Sequence, residues 1–142
     1  MIAEFFNLAG SGASPERALF YLANKYQQQR VLIWCQDEAQ AARLDLALWT
    51  EEPASFMPHG LAGAEDAATE PVLLSTRLAN INRAQVLLLA FNPPADWLPP
   101  TGFARVVELI PASPGPALEA SRSRYRQLGQ QRVKLEHTTE MA

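Results

Sequence analysis

The apolar residues of the chain fall into short runs that alternate with amphipathic stretches. The runs Arg30–Cys35 and Val86–Phe91 are almost continuously apolar and of strand length, which is typical of strands covered on both faces. Residues 2–8, 72–75 and 104–110 are three further strand candidates. Strands that alternate with helices predict an α/β fold: a twisted, largely parallel sheet flanked by helices.

Two of the helices have recognisable start signals. Ser14 before Pro15 supplies an N-cap followed by proline at the first helical position, and predicts a helix over residues 15–28. Asp37, with Gln40 three residues later, is a variant of the capping box, which predicts a second helix that continues to about Trp49.

The remaining segments predict connections, a last helix and a tail. Residues 51–66 contain two prolines and two glycines and are expected to form a loop. Residues 92–100 contain four prolines and cannot form a helix of any length. A final helix is predicted over residues 116–129. We expect one domain over residues 1–135 and a flexible C-terminal tail over residues 136–142.

Composition narrows the class of protein. The chain has 142 residues, of which 48% are hydrophobic and 19% charged, so it can bury one substantial core. Its longest apolar runs are far shorter than the roughly 20 residues needed to span a bilayer. The single cysteine cannot form an internal disulfide, and no signal-peptide pattern follows Met1. These features favour a cytoplasmic protein without a membrane role.

The charge of the chain is unevenly distributed. The net charge is −3, which argues against a protein that coats nucleic acid. However, five of the twelve basic residues lie between Arg122 and Lys134, in a stretch without an acid. On the final helix Arg122 and Arg126 share one face, Tyr125 adjoins them, and Arg124 points about 160° away from Arg126, toward a different surface.

The pair of arginines is consistent with either a solvated basic face or an anion site. Two like charges at this spacing cost a few tenths of a kcal/mol unless an anion lies between them. Arginine binds carboxylates and phosphates in a bidentate manner. An acidic peptide, a terminal carboxylate or a nucleic-acid phosphate would each satisfy this pair.

The second helix is apolar on two sides. Ala41, Leu44 and Leu48 fall on one face, which is expected to cover the sheet. The opposite face carries Leu46 and Trp49, with Ala39 and Ala42, and the following loop adds Phe56, Met57 and Pro58. This surplus apolar face is either a protein interface anchored by aromatic residues or a satellite core under the loop.

Candidates for catalysis or cofactor binding are weak. The Gly10–Gly12 segment lies where a nucleotide-binding loop would lie, but the third glycine of the dinucleotide fingerprint is absent and no P-loop lysine follows. Cys35 follows a strand, and His59 is its nearest plausible base, yet free cysteine is more often a buried small side chain. We expect no cofactor, metal or catalytic residue, with a small α/β enzyme or nucleotide-binding protein that uses Cys35 or the Gly10–Gly12 loop as the alternative.

Several blocks of the sequence resemble the DNA polymerase III chi subunit family. Their order and spacing carry the resemblance, which spans nearly the whole chain and is weakest at residues 64–85 and after Lys134. The blocks are Arg30–Glu38, Arg43–Asp45, Ala47–Trp49, Ser55–His59, Leu61–Gly63, Val106–Pro111 and Arg122–Arg126.

The resemblance implies a Rossmann-like topology without a nucleotide site, and a non-catalytic subunit of a DNA polymerase complex. It further implies two partners: the psi subunit of the clamp-loader assembly, and the acidic C-terminal tail of single-stranded DNA-binding protein. Contact with DNA would be indirect. The psi-facing residues are then Trp49, Phe56, Pro58 and His59, and the tail-binding residues are Ile110, Arg122, Tyr125 and Arg126.

The sequence departs from the family pattern near the second of these sites. Leu118 stands where some members carry a lysine, and Arg126 replaces what is often a lysine. Loss of one surface cation would weaken tail binding by about 0.3–1 kcal/mol. Direct binding of single-stranded DNA by the basic helix is a third hypothesis.

Overall fold

One parallel sheet forms the centre of the molecule. The computed structural model describes residues 1–50 and 57–139 of the chain. Within these residues, seven strands form a single sheet in the order β3-β4-β2-β5-β6-β1-β7, and every neighbouring pair is parallel. The strands are β1 (Ile2–Asn7), β2 (Val31–Trp34), β3 (Gly60–Leu61), β4 (Val72–Ser75), β5 (Val86–Leu89), β6 (Arg105–Ile110) and β7 (Lys134–Thr138). The predicted α/β class is confirmed.

Four α-helices accompany the sheet in the described residues. They are α1 (Leu8–Ser11), α2 (Pro15–Tyr26), α3 (Glu38–Thr50) and α4 (Pro116–Gly129). Short 3-10 turns occupy Gln27–Gln29 and Ala67–Thr69. The predicted starts of α2 and α3 and the predicted span of α4 agree with these bounds to within one residue.

The helix caps form as their residue types predict. The Ser14 side chain accepts a hydrogen bond from the Arg17 amide at 3.2 Å. At the start of α3, Asp37 Oδ1 accepts from the Gln40 amide at 2.8 Å, and Gln40 Oε1 accepts from the Gln36 amide at 2.6 Å. Because each bond satisfies an amide without an intrahelical partner, the caps fix where these helices begin.

The two faces of the sheet are covered differently. Helices α2 and α3 cover one face, where Leu44 and Leu48 of α3 join the main core. The other face carries α4 and the irregular connections between strands, with Trp97 and Phe103 over the central strands and Leu128 of α4 over β1. The central strands β2, β4 and β5 are buried throughout or almost throughout, as continuous apolar runs require.

A buried polar cluster joins three neighbouring strands to α2. The Arg105 guanidinium lies 2.8 Å from Glu4 Oε1 and 2.6 Å from Glu136 Oε1. Tyr26 Oη donates to Glu4 at 2.5 Å, and Thr138 Oγ1 donates to the second Glu4 oxygen at 2.9 Å. Burial and the bond to Glu4 raise the pKa of Tyr26, whereas the hydrogen bond from Arg105 lowers the pKa of Glu136.

This cluster corrects the expectation of a tail that begins at residue 136. Glu136, His137 and Thr138 belong to β7, which pairs with β1 at the edge of the sheet. A strand was not predicted here because the segment is polar and half exposed. It is held by backbone pairing and by the partners of Glu136 and Thr138, which lie far away in sequence.

Two smaller differences concern segments predicted as loops. The predicted loop 51–66 contains β3 at Gly60–Leu61, which pairs with β4. Gly10 lies inside α1, a single turn that ends at Gly12 with φ +68°. A left-handed cap at glycine closes the turn without steric cost. The Gly10–Gly12 segment is therefore a capped helical turn between β1 and α2.

Candidate functional site

A cavity of about 450 Å³ lies at the carboxyl ends of β1 and β6, between these strands and α4. This edge is where open parallel α/β sheets bind their ligands. Asn7 and Ile110, the last residues of β1 and β6, contribute to its wall. The other lining residues are Phe5, Ala9, Pro111, Ala112, Leu118, Ser121, Arg122, Tyr125, Arg126 and His137. We call this space the tail cavity.

The structure brings together all four residues for which the family resemblance implied tail binding: Ile110, Arg122, Tyr125 and Arg126 all line this cavity. Both arginine side chains are exposed. Arg122 contacts Glu119 at 3.4 Å, but both side chains of this pair are well exposed, so the contact competes weakly with an anionic ligand.

The cavity also has an apolar wall. The Tyr125 ring packs edge-on against Phe5, with centroids 5.1 Å apart and planes at 76°, and Tyr125 remains 38% exposed. Leu118 and Ile110 continue this wall. Two guanidinium groups beside an apolar wall suit a ligand that combines carboxylates with a large apolar side chain.

Arg124 is buried, although it lies between the two exposed arginines in sequence. Its side chain is paired with Glu108 on β6, with Nε 2.6 Å from Oε1 and Nη2 3.0 Å from Oε2. The remaining donors reach carbonyl oxygens of Pro93, Pro94 and Trp97. This arginine therefore fixes α4 to β6 and to the proline-rich connection, and positions the exposed face of α4.

Arg124 does point away from Arg126, as predicted, but the expectation that it lies on a second surface is wrong, since its side chain is fully buried. The sequence did carry a signal for this. Glu108 interrupts an apolar strand, and a buried carboxylate needs a cationic partner.

Sequence reasoning also missed two polar residues of the tail cavity. Ser121 is 1% exposed, and its Oγ has no hydrogen-bond partner among the described residues. His137, expected in a flexible tail, instead lies on β7 and lines the cavity from the sheet side.

A second exposed surface lies on α3, and we call it the Trp49 surface. Leu46 is 64% exposed and Trp49 is 47% exposed, so the predicted surplus apolar face exists. The Trp49 ring packs on His59 with centroids 4.2 Å apart. His59 is buried, with Nδ1 2.9 Å from the Met57 carbonyl oxygen and Nε2 3.2 Å from Asp45 Oδ1. The contacts of His59 hold the loop against α3.

The other residues expected at this surface have different placements. Pro58 is half-buried beside His59. Met57 belongs to the main core, so the expectation that it joins the exposed patch is wrong. Met57 is close to Trp49 in sequence, but this closeness does not determine whether the Met57 side chain points to the core or to the surface. Phe56 lies outside the described residues.

Cys35 lies in the core rather than in a cleft. Its side chain is fully buried, and its Sγ lies 3.8 Å from the Ile33 carbonyl oxygen. Burial raises the pKa of the Cys35 thiol to about 12. A nucleophilic cysteine needs the opposite shift and access to solvent, which disfavours the enzyme hypothesis based on Cys35.

We therefore expect Cys35 to react slowly with a thiol reagent such as dithiobis-nitrobenzoate at neutral pH. Both burial and the small thiolate fraction suppress the reaction in the folded protein. Reaction in denaturant should be faster by orders of magnitude, because unfolding removes both effects. Comparable rates in the two conditions would contradict a buried thiol at this position.

Metal-ligand clusters and membrane-spanning helices are both absent from the residues that the structure describes. These residues contain no group of three His, Cys, Asp or Glu side chains arranged to hold a metal ion. None of their helices has the length and apolar character needed to cross a membrane.

Fold and cavity together define a class: an α/β domain with a cavity, at the carboxyl ends of β1 and β6, that combines exposed guanidinium groups with an apolar wall. The family model of the DNA polymerase III chi subunit, HolC, matches residues 1–136. The chain belongs to the DNA polymerase III chi subunit family, which confirms the resemblance noted from the sequence.

Individual relatives agree with this assignment. The DNA polymerase III subunit chi of Escherichia coli (strain K12) is 36% identical over 99 residues, which is 69% of this chain and 65% of that protein. The Haemophilus influenzae subunit chi is 31% identical over 101 residues, covering 70% and 68%. The matched segment thus spans about two thirds of these relatives.

A solved structure supports the fold alone. The crystal structure of T4 UvsW superposes with a TM-score of 0.67 over 98% of this chain and 41% of that one. The sequence identity is 10%, so the similarity describes the architecture of the sheet and its helices and carries no functional argument.

Proposed function

We propose that this chain is a non-catalytic accessory subunit of the bacterial DNA polymerase III holoenzyme during DNA replication. It links the clamp loader, through the psi subunit, to the acidic C-terminal tail of single-stranded DNA-binding protein. Contact with DNA is then indirect. Membership in the chi subunit family supports the proposal that this chain is part of the DNA polymerase III assembly.

The tail cavity is the observation that carries this proposal. An acidic tail that ends in an aromatic residue needs cations for its carboxylates and an apolar wall for its ring. Arg122 and Arg126 supply the cations and Tyr125 supplies part of the wall, and all three line one cavity. Capture of a terminal carboxylate beside an apolar pocket is a recurring mode of peptide recognition.

A titration with a fluorescent peptide tests the proposal. The peptide carries a short run of aspartates and a C-terminal phenylalanine, and the control is the same composition in scrambled order with the aromatic residue inside. We expect micromolar-range binding of the first peptide, weaker at higher salt, and much weaker binding of the second. Equal affinity for both peptides would mean that the protein attracts them only by non-specific charge, which would contradict the proposal.

A single-stranded oligonucleotide provides the competing arm of this titration. Direct DNA binding by the basic helix predicts oligonucleotide affinity in the absence of any protein. Our proposal predicts that the oligonucleotide binds more weakly than the tail peptide at the same salt concentration. The reverse order of affinities would favour the DNA-binding hypothesis.

We assign the psi subunit to the Trp49 surface. Leu46 and Trp49 project from α3, and α3 packs on the sheet face opposite to α4. An exposed tryptophan beside an exposed leucine has the character of an interface anchor. Two partners on separate faces of the sheet can bind at the same time, as an adaptor requires.

Substitution at this surface should separate the two interactions. Trp49→Ala is expected to weaken co-purification with the psi subunit, by about 2 kcal/mol or more if Trp49 is an anchor. Binding of the tail peptide should be unchanged. Tyr125→Ala is the matched control, since it should weaken peptide binding and leave psi binding intact. Loss of both interactions in either variant would contradict two independent surfaces, provided that the thermal unfolding midpoint is preserved.

A further inference from the structure

Strand β7 brings one imidazole into the tail cavity. In the parallel pairing of β1 with β7, His137 lies opposite Phe5. Paired residues of adjacent strands point to the same side of a sheet, so His137 lies on the face that carries Phe5 and α4. Accordingly, His137 lines the tail cavity together with Arg122 and Arg126.

The neighbours of His137 on β7 are directed elsewhere. Glu136 and Thr138 lie on the opposite face, where they bond Arg105 and Glu4. His137 itself is exposed and makes no hydrogen bond or ion pair with the residues that the structure describes. Its ring nitrogens are therefore available to a ligand in the cavity.

Ser121 on α4 is a second polar residue that lines the tail cavity. Ser121 Oγ is buried and has no partner within the described ranges. Native proteins rarely leave a buried hydroxyl unpaired, so this group calls for a partner beyond the described residues, such as an ordered water or a ligand. The tail cavity thus contains two polar residues, His137 and Ser121, in addition to Arg122 and Arg126.

We infer that His137 donates a hydrogen bond to a carboxylate of the bound acidic tail, from the sheet side of the cavity. Arg122 and Arg126 approach the same ligand from α4, so an acidic segment is held between two walls. This inference rests on the proposed function, because it names a further binding residue of that site. With His137 as a binding residue, β7 is part of the binding site as well as the edge of the sheet.

Three variants of His137 separate its roles. His137→Gln retains a side-chain N–H donor, whereas His137→Phe keeps an aromatic ring without a donor and His137→Ala removes both. We expect the Phe and Ala variants to bind the tail peptide about three- to fivefold more weakly, and the Gln variant to bind within about twofold of the original protein.

Lys134→Ala is the matched control for charge. Lys134 lies on the same strand, is well exposed, and points to the opposite face from His137. If β7 only added positive potential near the cavity, Lys134→Ala would weaken binding as much as His137→Ala. Our inference predicts that Lys134→Ala has less than half that effect at moderate salt.

The outcomes distinguish this inference from the proposal on which it rests. If the original protein binds no tail peptide, the proposed function is wrong. If it binds the peptide and the His137→Phe variant binds equally well, only the inference is overturned. Shifts of the His137 ring resonances on addition of peptide would support a direct contact, and unchanged resonances at saturation would contradict it.

Discussion

Arg124→Leu is expected to lower the free energy of unfolding by about 3–5 kcal/mol, because it leaves a buried carboxylate without its partner. Glu108 is almost fully buried, and Asn92 would be its only remaining side-chain donor among the described residues. Three carbonyl oxygens in the proline-rich connection would also lose the arginine as a donor, although the Pro94 oxygen keeps its bond from the Trp97 amide. Small domains have total stabilities of about 5–15 kcal/mol, so this loss would be a large fraction of the total and should lower the unfolding midpoint clearly.

Two controls define this experiment. Arg126→Leu makes the same change on the exposed face of α4 and should alter stability by less than about 0.5 kcal/mol. The double variant Arg124→Leu with Glu108→Leu removes the unpaired charge and should recover part of the loss, since buried ion pairs are often replaceable by apolar pairs. Urea unfolding measures all three. A loss below about 1 kcal/mol for Arg124→Leu would show that this ion pair does not hold α4.

The second large effect concerns binding. We expect Arg122→Ala combined with Arg126→Ala to weaken binding of the tail peptide at least tenfold, because each arginine offers charge-assisted hydrogen bonds, each of which contributes on the order of 1 kcal/mol at an exposed site. The unfolding midpoint should not fall, since removing two like charges four residues apart relieves a few tenths of a kcal/mol of repulsion.

The control for this variant must lose the same charge elsewhere. Arg17→Ala combined with Arg132→Ala removes two exposed arginines that do not line the tail cavity. It should reduce peptide affinity only slightly, and mainly at low salt. Peptide titrations of both double variants at two salt concentrations give the comparison. Equal losses would mean that net charge, and not the cavity, attracts the peptide.

Much of the fold could be predicted because local patterns and tertiary packing agree. The apolar run that ends at Cys35 contains β2, and Ser14 before Pro15 is the N-cap of α2. The assignment of Leu44 and Leu48 to the core follows from helical spacing and is confirmed, whereas spacing left open whether Trp49 is exposed or covered by the loop. Where the apolar residues of a segment follow a single helical or strand period, the sequence is sufficient to predict the element.

The elements that could not be predicted are held by distant partners. β7 is polar apart from Leu135 and lies partly exposed, and its position depends on pairing with β1 and on Arg105. The same holds for the site. The spacing of Arg122 and Arg126 predicted two cavity residues, whereas His137 enters the cavity only because β7 forms. The buried position of Arg124 is predictable from Glu108, because a carboxylate within an apolar strand needs a cationic partner.

The most direct test of the central claim is to map where the tail peptide binds. A titration of the isotope-labelled protein with the peptide, followed by amide chemical-shift changes, reports each residue separately. We predict that the changes concentrate on α4 from Leu118 to Arg126, on Ile110 and on His137, while Leu46 and Trp49 stay unchanged. Changes centred on α3, or no saturable changes at all, would contradict the proposal that this α/β domain captures an acidic tail in the cavity beside α4.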